Sequence, residues 1–193
     1  MGDIKLLFRG GGLKLYDVLI VGGGPVGSYV AYKLAGKGYG VAVVEQKKRL
    51  GEQACCTGII GQECVSSFTV ADNVILRRVN SAKLFSPSGR WLRLWREQTQ
   101  ACIIDRAAFD MAMASQAQDK GAEYLIDSFA ADLEIRDSRV RAEIVHQGER
   151  LNLEARAVVI ATGFGSRLAA KLGLGEVSDF VIGAQAEVET IFL

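Results

Sequence analysis

Proline and histidine are scarce: the chain has 193 residues, two prolines and the single His146. Two prolines exclude a polyproline segment or a Pro/Gly-rich disordered tract. One histidine beside four cysteines (Cys55, Cys56, Cys64, Cys102), with no C-x-x-C pair, gives no recognisable set of four zinc ligands, so no metal is expected. The same cysteines, two of them vicinal, do not read as a disulfide framework. A reducing, cytoplasmic setting is the expectation. Charge of one sign is also lacking, because 23 Lys+Arg stand against 22 Asp+Glu for a net charge of +1. That balance argues against nucleic acid as a partner. Long apolar runs are missing too, since stretches such as Ala157 to Ala161 fall far short of the ~20 residues a membrane helix needs. Residues 1–15 mix Asp3, Lys5 and Arg9 with Gly10, Gly11 and Gly12 and contain no uninterrupted apolar core, so an N-terminal extension is expected there rather than a leader.

Glycine is present in excess, 22 of 193 residues or about 11% against a usual ~7%. Fourteen of the 22 precede residue 62. Around them the hydrophobic pattern predicts a strand at Tyr16 to Val21, a helix at about Pro25 to Gly36 and a strand at Val41 to Glu45, the opening of a βαβ unit. A loop from Lys47 to Gly61 and a polar segment follow. A hairpin is expected at Ala82 to Ser86 and Arg90 to Trp95, turned by Pro87, Ser88 and Gly89. Strand Ala101 to Ile104 leads to Asp105, placed to cap a helix that runs to Lys120 and stops at Gly121. Tyr124 to Ile126, Ala130 to Arg136, Arg139 to His146 and Arg150 to Leu153 read as consecutive strands. Ala157 to Ala161 reads as a separate, fully buried strand, followed by a short helix from Ser166 to Leu172.

Gly22-Gly23-Gly24-Pro25-Val26-Gly27 fits GxGxxG and lies between a hydrophobic strand and an amphipathic helix, the context that the motif requires. Gly22 permits the tight turn, Gly24 lets backbone approach a pyrophosphate, and Gly27 lets helix and strand pack closely. The first N–H groups and the positive end of the helix dipole then face the phosphates. Glu45, 18 residues after Gly27 at the end of the second strand, is placed to accept hydrogen bonds from an adenosine ribose. A dinucleotide is therefore the expected ligand. Arg106, in the first turn of its helix, opposes the helix dipole and suits an anion better than it suits the helix. Ala161-Thr162-Gly163 ends a strand in a small-residue turn, where open α/β sheets place ligands.

With these residues the chain resembles the FAD-dependent oxidoreductases of the glutathione-reductase and p-hydroxybenzoate-hydroxylase type, and among them the geranylgeranyl reductase family. The resemblance rests on Tyr16 to Ser28, Glu45, Cys56-Thr57-Gly58-Ile59-Ile60, Asp105-Arg106-Ala107-Ala108-Phe109-Asp110 and Ala161 to Arg167. It implies an α/β fold: a Rossmann-like FAD-binding domain with a parallel sheet and antiparallel crossover strands over 16–175, a hairpin insertion at about 79–100, and the start of a substrate-domain sheet over 176–193, with strand character at Val181 to Glu189. It implies extended FAD, with Gly22, Gly24, Pro25, Val26 and Gly27 on the pyrophosphate and Glu45 on the ribose. Gln46, Ala130, Ala161, Thr162 and Gly163 would also contact the cofactor, with Arg106 near its ribityl phosphate. Cys56, Thr57 and Gly58 would lie by the isoalloxazine, with Cys56 lining the substrate cavity. Thr162 departs from the aspartate that hydroxylase-like members carry. A later glycine-aspartate turn would fall beyond Leu193, so the chain is expected to be the front portion of a larger enzyme.

The function the resemblance implies is reduction of isoprenoid carbon–carbon double bonds by hydride from reduced FAD, with NAD(P)H as electron donor and any membrane contact made through the substrate. A flavin monooxygenase and a catalytically incomplete FAD-binding fragment are the alternatives. Vicinal Cys55 and Cys56 suit a redox disulfide poorly, because adjacent cysteines bridge poorly. In Arg90 to Arg96, alternation places Trp91, Arg93 and Trp95 on one face and Leu92 and Leu94 on the other, so both faces are expected to be partly buried.

Overall fold

The computed structural model describes residues 14–52, 54–68, 70–164 and 166–186. The described chain divides into two compact units, one drawn from residues 1–53 and 107–173, the other from 54–106 and 174–193. The expected hairpin lies inside the second.

The first unit is built on a six-stranded sheet. Its strands are β1 (Leu15–Val21), β2 (Val41–Val44), β8 (Glu123–Leu125), β9 (Ser128–Arg136), β10 (Arg139–His146) and β11 (Glu149–Ile160), in the order β8-β2-β1-β11-β10-β9. The four strands β8, β2, β1 and β11 run parallel, whereas β9, β10 and β11 pair antiparallel. Helix α1 (Pro25–Ala35) follows β1 in sequence, and helix α3 (Arg106–Asp119) follows strand β7 (Ala101–Ile104).

The parallel strands are apolar on both faces, as sheets covered on both sides require. Leu19, Val21, Ala42 and Val44 enter one core, with Ala130, Leu133, Ala142 and Ile144 from the antiparallel strands. Ile20, Val41 and Val43 enter the other, against Ala31 and Ala35 of α1 and Ala117 of α3. Leu19 and Ile20 are fully buried, each worth roughly 1.5–3 kcal/mol relative to exposure.

One continuous strand, β11, replaces the two expected at Arg150 to Leu153 and Ala157 to Ala161. No glycine or proline interrupts Glu154, Ala155 and Arg156, so the strand continues while it changes partners: residues 149–155 pair with β10, and 154–160 pair with β1. Its C-terminal half is not fully buried either. Val158 and Ile160 face one core and Val159 and Ala161 the other, all only partly covered.

The second unit holds a three-stranded sheet, β3 (Ile59–Gly61), β7 (Ala101–Ile104) and β4 (Ile75–Val79), in the order β3-β7-β4, and the hairpin of β5 (Ser81–Phe85) and β6 (Trp91–Trp95). Helix α2 (Gln62–Ser67) follows β3. Every residue of β5 and β6 is exposed, in contrast to the two partly buried faces expected from the alternation. Among the described residues these two strands pair only with each other, and alternation fixes which side chains share a face without fixing that anything covers it. Residues 175–186 form no helix or strand, and Val181 and Ile182 are almost fully exposed. The strand expected at Val181 to Glu189 is thus not formed over its described part; an extended segment without a partner strand makes no ladder. Residues 187–189 lie outside the described residues.

Candidate cofactor site

The glycine turn sits where β1 ends and α1 begins. Gly22 has φ of +110°, a conformation that L side chains rarely adopt. Its N–H donates to the Val44 carbonyl at 2.8 Å, and a Cβ on it would run into the Ala161 carbonyl. Ala161 in turn donates its N–H to the Val21 carbonyl at 2.8 Å. The ends of β2, β1 and β11 are thereby drawn together around Gly22, and the backbone of Ala161 and Thr162 lies directly against it. Gly163, with φ of +71°, continues that turn.

Gly24 is the N-cap of α1, in extended conformation, and Pro25 opens the helix. Proline suits the first helical position because the N–H it lacks would have no intrahelical partner. Val26 is exposed, and Gly27 is buried where a Cβ would strike the Gly22 carbonyl. A Cβ added to Gly24, by contrast, meets nothing within 4 Å. Open space beside Gly24 at the helix N-terminus fits the diphosphate of a dinucleotide.

Glu45 follows β2 and is buried. Its backbone joins β8 and β9: its N–H donates to the Leu125 carbonyl, and its carbonyl accepts from Ser128 N–H, each at 2.9 Å. One carboxylate oxygen, Oε2, accepts the N–H of Gly23 at 2.7 Å, and Oε1 accepts the N–H of Lys47 at 2.9 Å. A carboxylate offers about four acceptor sites, so two backbone donors leave capacity for ribose hydroxyls. Gln46, next along, is exposed. Ala130 differs: its side chain is buried in the core of β9, so a cofactor contact there would have to be a backbone one.

The turn has partners that the motif does not reveal. Ser28, fully buried in the first turns of α1, donates its hydroxyl to the Gly23 carbonyl at 3.0 Å. Tyr124 of β8 donates to Ser28 Oγ at 2.9 Å. Burial pushes the Tyr124 hydroxyl up to about 12. A polar residue directly after Gly27, in a tightly packed turn, was the available signal for Ser28; nothing local marks Tyr124.

Cys56, Thr57, Gly58 and Arg106 belong to the second unit. There the Gly58 N–H donates to Cys56 Sγ at 3.4 Å, folding the thiol back over its own loop. The Gly58 carbonyl accepts the Ile104 N–H at 2.8 Å, which ties this loop to the end of β7. Asp105, whose N–H donates to the Val74 carbonyl at 2.9 Å, leads from β7 into Arg106, the half-buried first residue of α3. Cys102, on β7, is buried with its sulfur 3.6 Å from Arg78 Nη1 and 3.7 Å from Gln62 Oε1.

The chain matches the family described as pyridine nucleotide-disulphide oxidoreductase over residues 16–190. It is 30% identical over 164 residues to a digeranylgeranylglycerophospholipid reductase of Methanosarcina mazei, covering 82% of this chain and 40% of that protein. It is likewise 30% identical over 157 residues to a geranylgeranyl diphosphate reductase of Rhodobacter capsulatus, covering 79% and 39%. Among solved structures, a geranylgeranyl bacteriochlorophyll reductase-like protein of Thermoplasma acidophilum superposes with a TM-score of 0.76 at 28% identity, over 84% of this chain and 43% of that one. A p-nitrophenol 4-monooxygenase of Pseudomonas putida shares the fold, at a TM-score of 0.70 and 18% identity. The chain spans about 40% of the length of the curated relatives it matches. With the glycine turn, the acid at the end of β2 and the parallel strand order all inside the matched span, this chain belongs to the pyridine nucleotide-disulphide oxidoreductase family.

Proposed function

We propose that this chain binds FAD in extended form and serves as the cofactor-binding portion of a geranylgeranyl reductase-like enzyme. The observation that carries the reading is the pairing of open space beside Gly24 with the buried Glu45 carboxylate, which is bonded to the same turn. Together they offer backbone N–H groups to a diphosphate and acceptor oxygens to a ribose. Gly22 and Gly27 hold the turn in shape; Pro25 and Val26 are proposed to border the phosphates, and Gln46 and the Ala130 backbone to contact the adenosine, as the family resemblance implies. Ala161, Thr162 and Gly163 form the turn against which Gly22 packs. From the family resemblance, Arg106 is proposed as a phosphate partner, and Cys56, Thr57 and Gly58 as the residues by the isoalloxazine.

Reduced FAD, when bound, supplies the hydride for reducing carbon–carbon double bonds of an isoprenoid chain, the substrate class named for the reductases that this chain resembles. NAD(P)H is the proposed source of electrons. Membrane contact is proposed to come through the lipid substrate, at the periphery of a cytoplasmic enzyme; none of the described helices is long and apolar enough to cross a bilayer.

Reconstitution tests the cofactor reading. Purified chain mixed with FAD and desalted should retain a flavin whose absorbance bands are shifted from those of free FAD. A well-folded chain that emerges colourless, with no FAD binding by calorimetry, would overturn it. For the activity, the full-length protein should saturate an isoprenoid alkene anaerobically; oxygen-dependent hydroxylation instead would assign it to the monooxygenases.

A further inference from the structure

Two side chains bond the Gly23 backbone directly, and a third reaches it through one of them. Tyr124, on strand β8, donates to Ser28 Oγ at 2.9 Å. Ser28, on helix α1, donates to the Gly23 carbonyl at 3.0 Å. Glu45, after β2, accepts the Gly23 N–H at 2.7 Å. Gly23 is therefore held on both of its peptide groups.

The consequence follows from peptide geometry. In a planar trans peptide, the carbonyl of one residue and the N–H of the next point in opposite directions. With the Gly23 carbonyl turned in to Ser28, the Gly24 N–H points the opposite way, away from Ser28. Glycine on both sides of this peptide leaves its orientation open to rotation, apart from the restriction that Pro25 places on Gly24, so the Ser28 bond helps to fix it. Tyr124 adds direction: a serine hydroxyl rotates to suit its surroundings, and accepting the tyrosine proton leaves the Ser28 proton free for Gly23. Both hydroxyls sit in a packed setting. Ser28 is 0% exposed, and Tyr124 is packed against the core that includes Ala31 and Val43.

We propose that Ser28 and Tyr124 are positioning residues, a two-hydroxyl relay that sets the Gly23–Gly24 peptide so that the Gly24 N–H faces the diphosphate of the bound nucleotide. The proposal rests on the FAD reading above for its ligand, but the peptide orientation itself is a property of the free protein. The pair lies 96 residues apart in sequence, and β8 reaches α1 only because it sits beside β2 in the sheet.

The test uses the chain in both ligand-free and FAD-bound form, with the variants Ser28→Ala, Tyr124→Phe and their combination. In the free protein, the Gly23 carbonyl ¹³C and Gly24 amide ¹⁵N resonances, which belong to the peptide that the relay holds, should shift in each variant, while those of Ile20 in the centre of β1 stay at their wild-type positions. With FAD, Tyr124→Phe should bind roughly two- to tenfold more weakly, the range that one neutral hydrogen bond spans. Ser28→Ala should be weaker still, and the double variant no weaker than Ser28→Ala alone, because Tyr124 acts only through Ser28. The ³¹P resonances of bound FAD should move in all three. The relay is overturned if the Gly23–Gly24 peptide resonances and the ³¹P shifts match wild type while only the melting temperature falls, which would mark the pair as ordinary packing. Additive losses of FAD affinity would overturn it as well. A wild-type chain that holds no FAD defeats the cofactor reading, and the Gly23–Gly24 peptide resonances then still decide the relay.

Discussion

Glu45 Oε2 accepts the backbone N–H of Gly23 at 2.7 Å, so the acid at the end of β2 is a fastening for the glycine turn as well as a group placed for ribose. Its other oxygen is engaged by Lys47 N–H at 2.9 Å. In Glu45→Gln one of those two backbone donors must face the new NH₂ group and loses its acceptor. A buried donor left unsatisfied costs about 1–3 kcal/mol. We expect Glu45→Gln to lower stability by that order in urea unfolding and to weaken FAD binding by more than tenfold. Wild-type stability in this variant would mean that the carboxylate faces solvent instead of Gly23.

Gly24 and Gly27 separate ligand binding from folding. A Cβ on Gly27 would strike the Gly22 carbonyl, which is backbone and cannot swing aside, so α1 must shift. Overpacking of this kind costs typically ~1–3 kcal/mol, and Gly27→Ala should lose both stability and FAD. A Cβ on Gly24 meets nothing in the protein. Gly24→Val should therefore melt close to wild type and yet bind no FAD. Equal losses of stability in the two variants would contradict this division.

The turn was legible in the sequence because everything that makes it lies within 30 residues: an apolar strand, glycines at fixed spacing, a helix opened by Pro25 and an acid after the next strand. Strand β7 and helix α3 were legible for the same local reason. What was not legible depends on distant partners. β11 reads as two strands because its pairing passes from β10 to β1 near Ala155, and no single residue marks the change. β3 reads as the end of the Lys47 to Gly61 loop, and α2 and β4 as a polar segment, because they carry little apolar patterning; α2 has no buried residue, and β4 has Arg77 and Arg78 at its centre. The exposure of Trp91 and Trp95 was missed because alternation tells which residues share a face, not whether anything covers it. Tyr124 could not be connected to Ser28 without the strand order of the sheet.

The hairpin supplies a direct optical check. Trp91 and Trp95 are the two tryptophans of the chain, 60% and 55% exposed, and Lys83 Nζ lies 5.5 Å from the centre of the Trp91 ring. Native fluorescence should be that of a hydrated indole, readily quenched by acrylamide. Urea should change it little, even as circular dichroism reports loss of the six-stranded sheet. A blue-shifted native emission would mean that a surface covers β5 and β6, and truncating Trp91 and Trp95 one at a time would locate it.

Tyr124 sets a pH limit on the turn. Burial raises its hydroxyl from the ordinary 10 to about 12, and the Ser28 bond only partly opposes that shift. Tyr16 is raised too, by burial first and then by its hydrogen bond to Glu123 and that carboxylate's charge. For a group whose folded value lies above its unfolded one, the stabilisation is fully present below the unfolded value and is lost as pH rises through the folded value. Both tyrosines should therefore stay neutral through pH 10 and ionise only as the fold fails above it. Followed by tyrosinate absorbance, the native titration should show a late component that Tyr124→Phe reduces and Tyr124→Phe combined with Tyr16→Phe abolishes. From pH 7 to 9 the hydroxyl keeps its proton, so FAD affinity should gain no pH dependence from Tyr124. Ionisation of Tyr124 at 10 or below would place the hydroxyl in water, and the bond to Ser28 would then not be the one that orders the glycine turn.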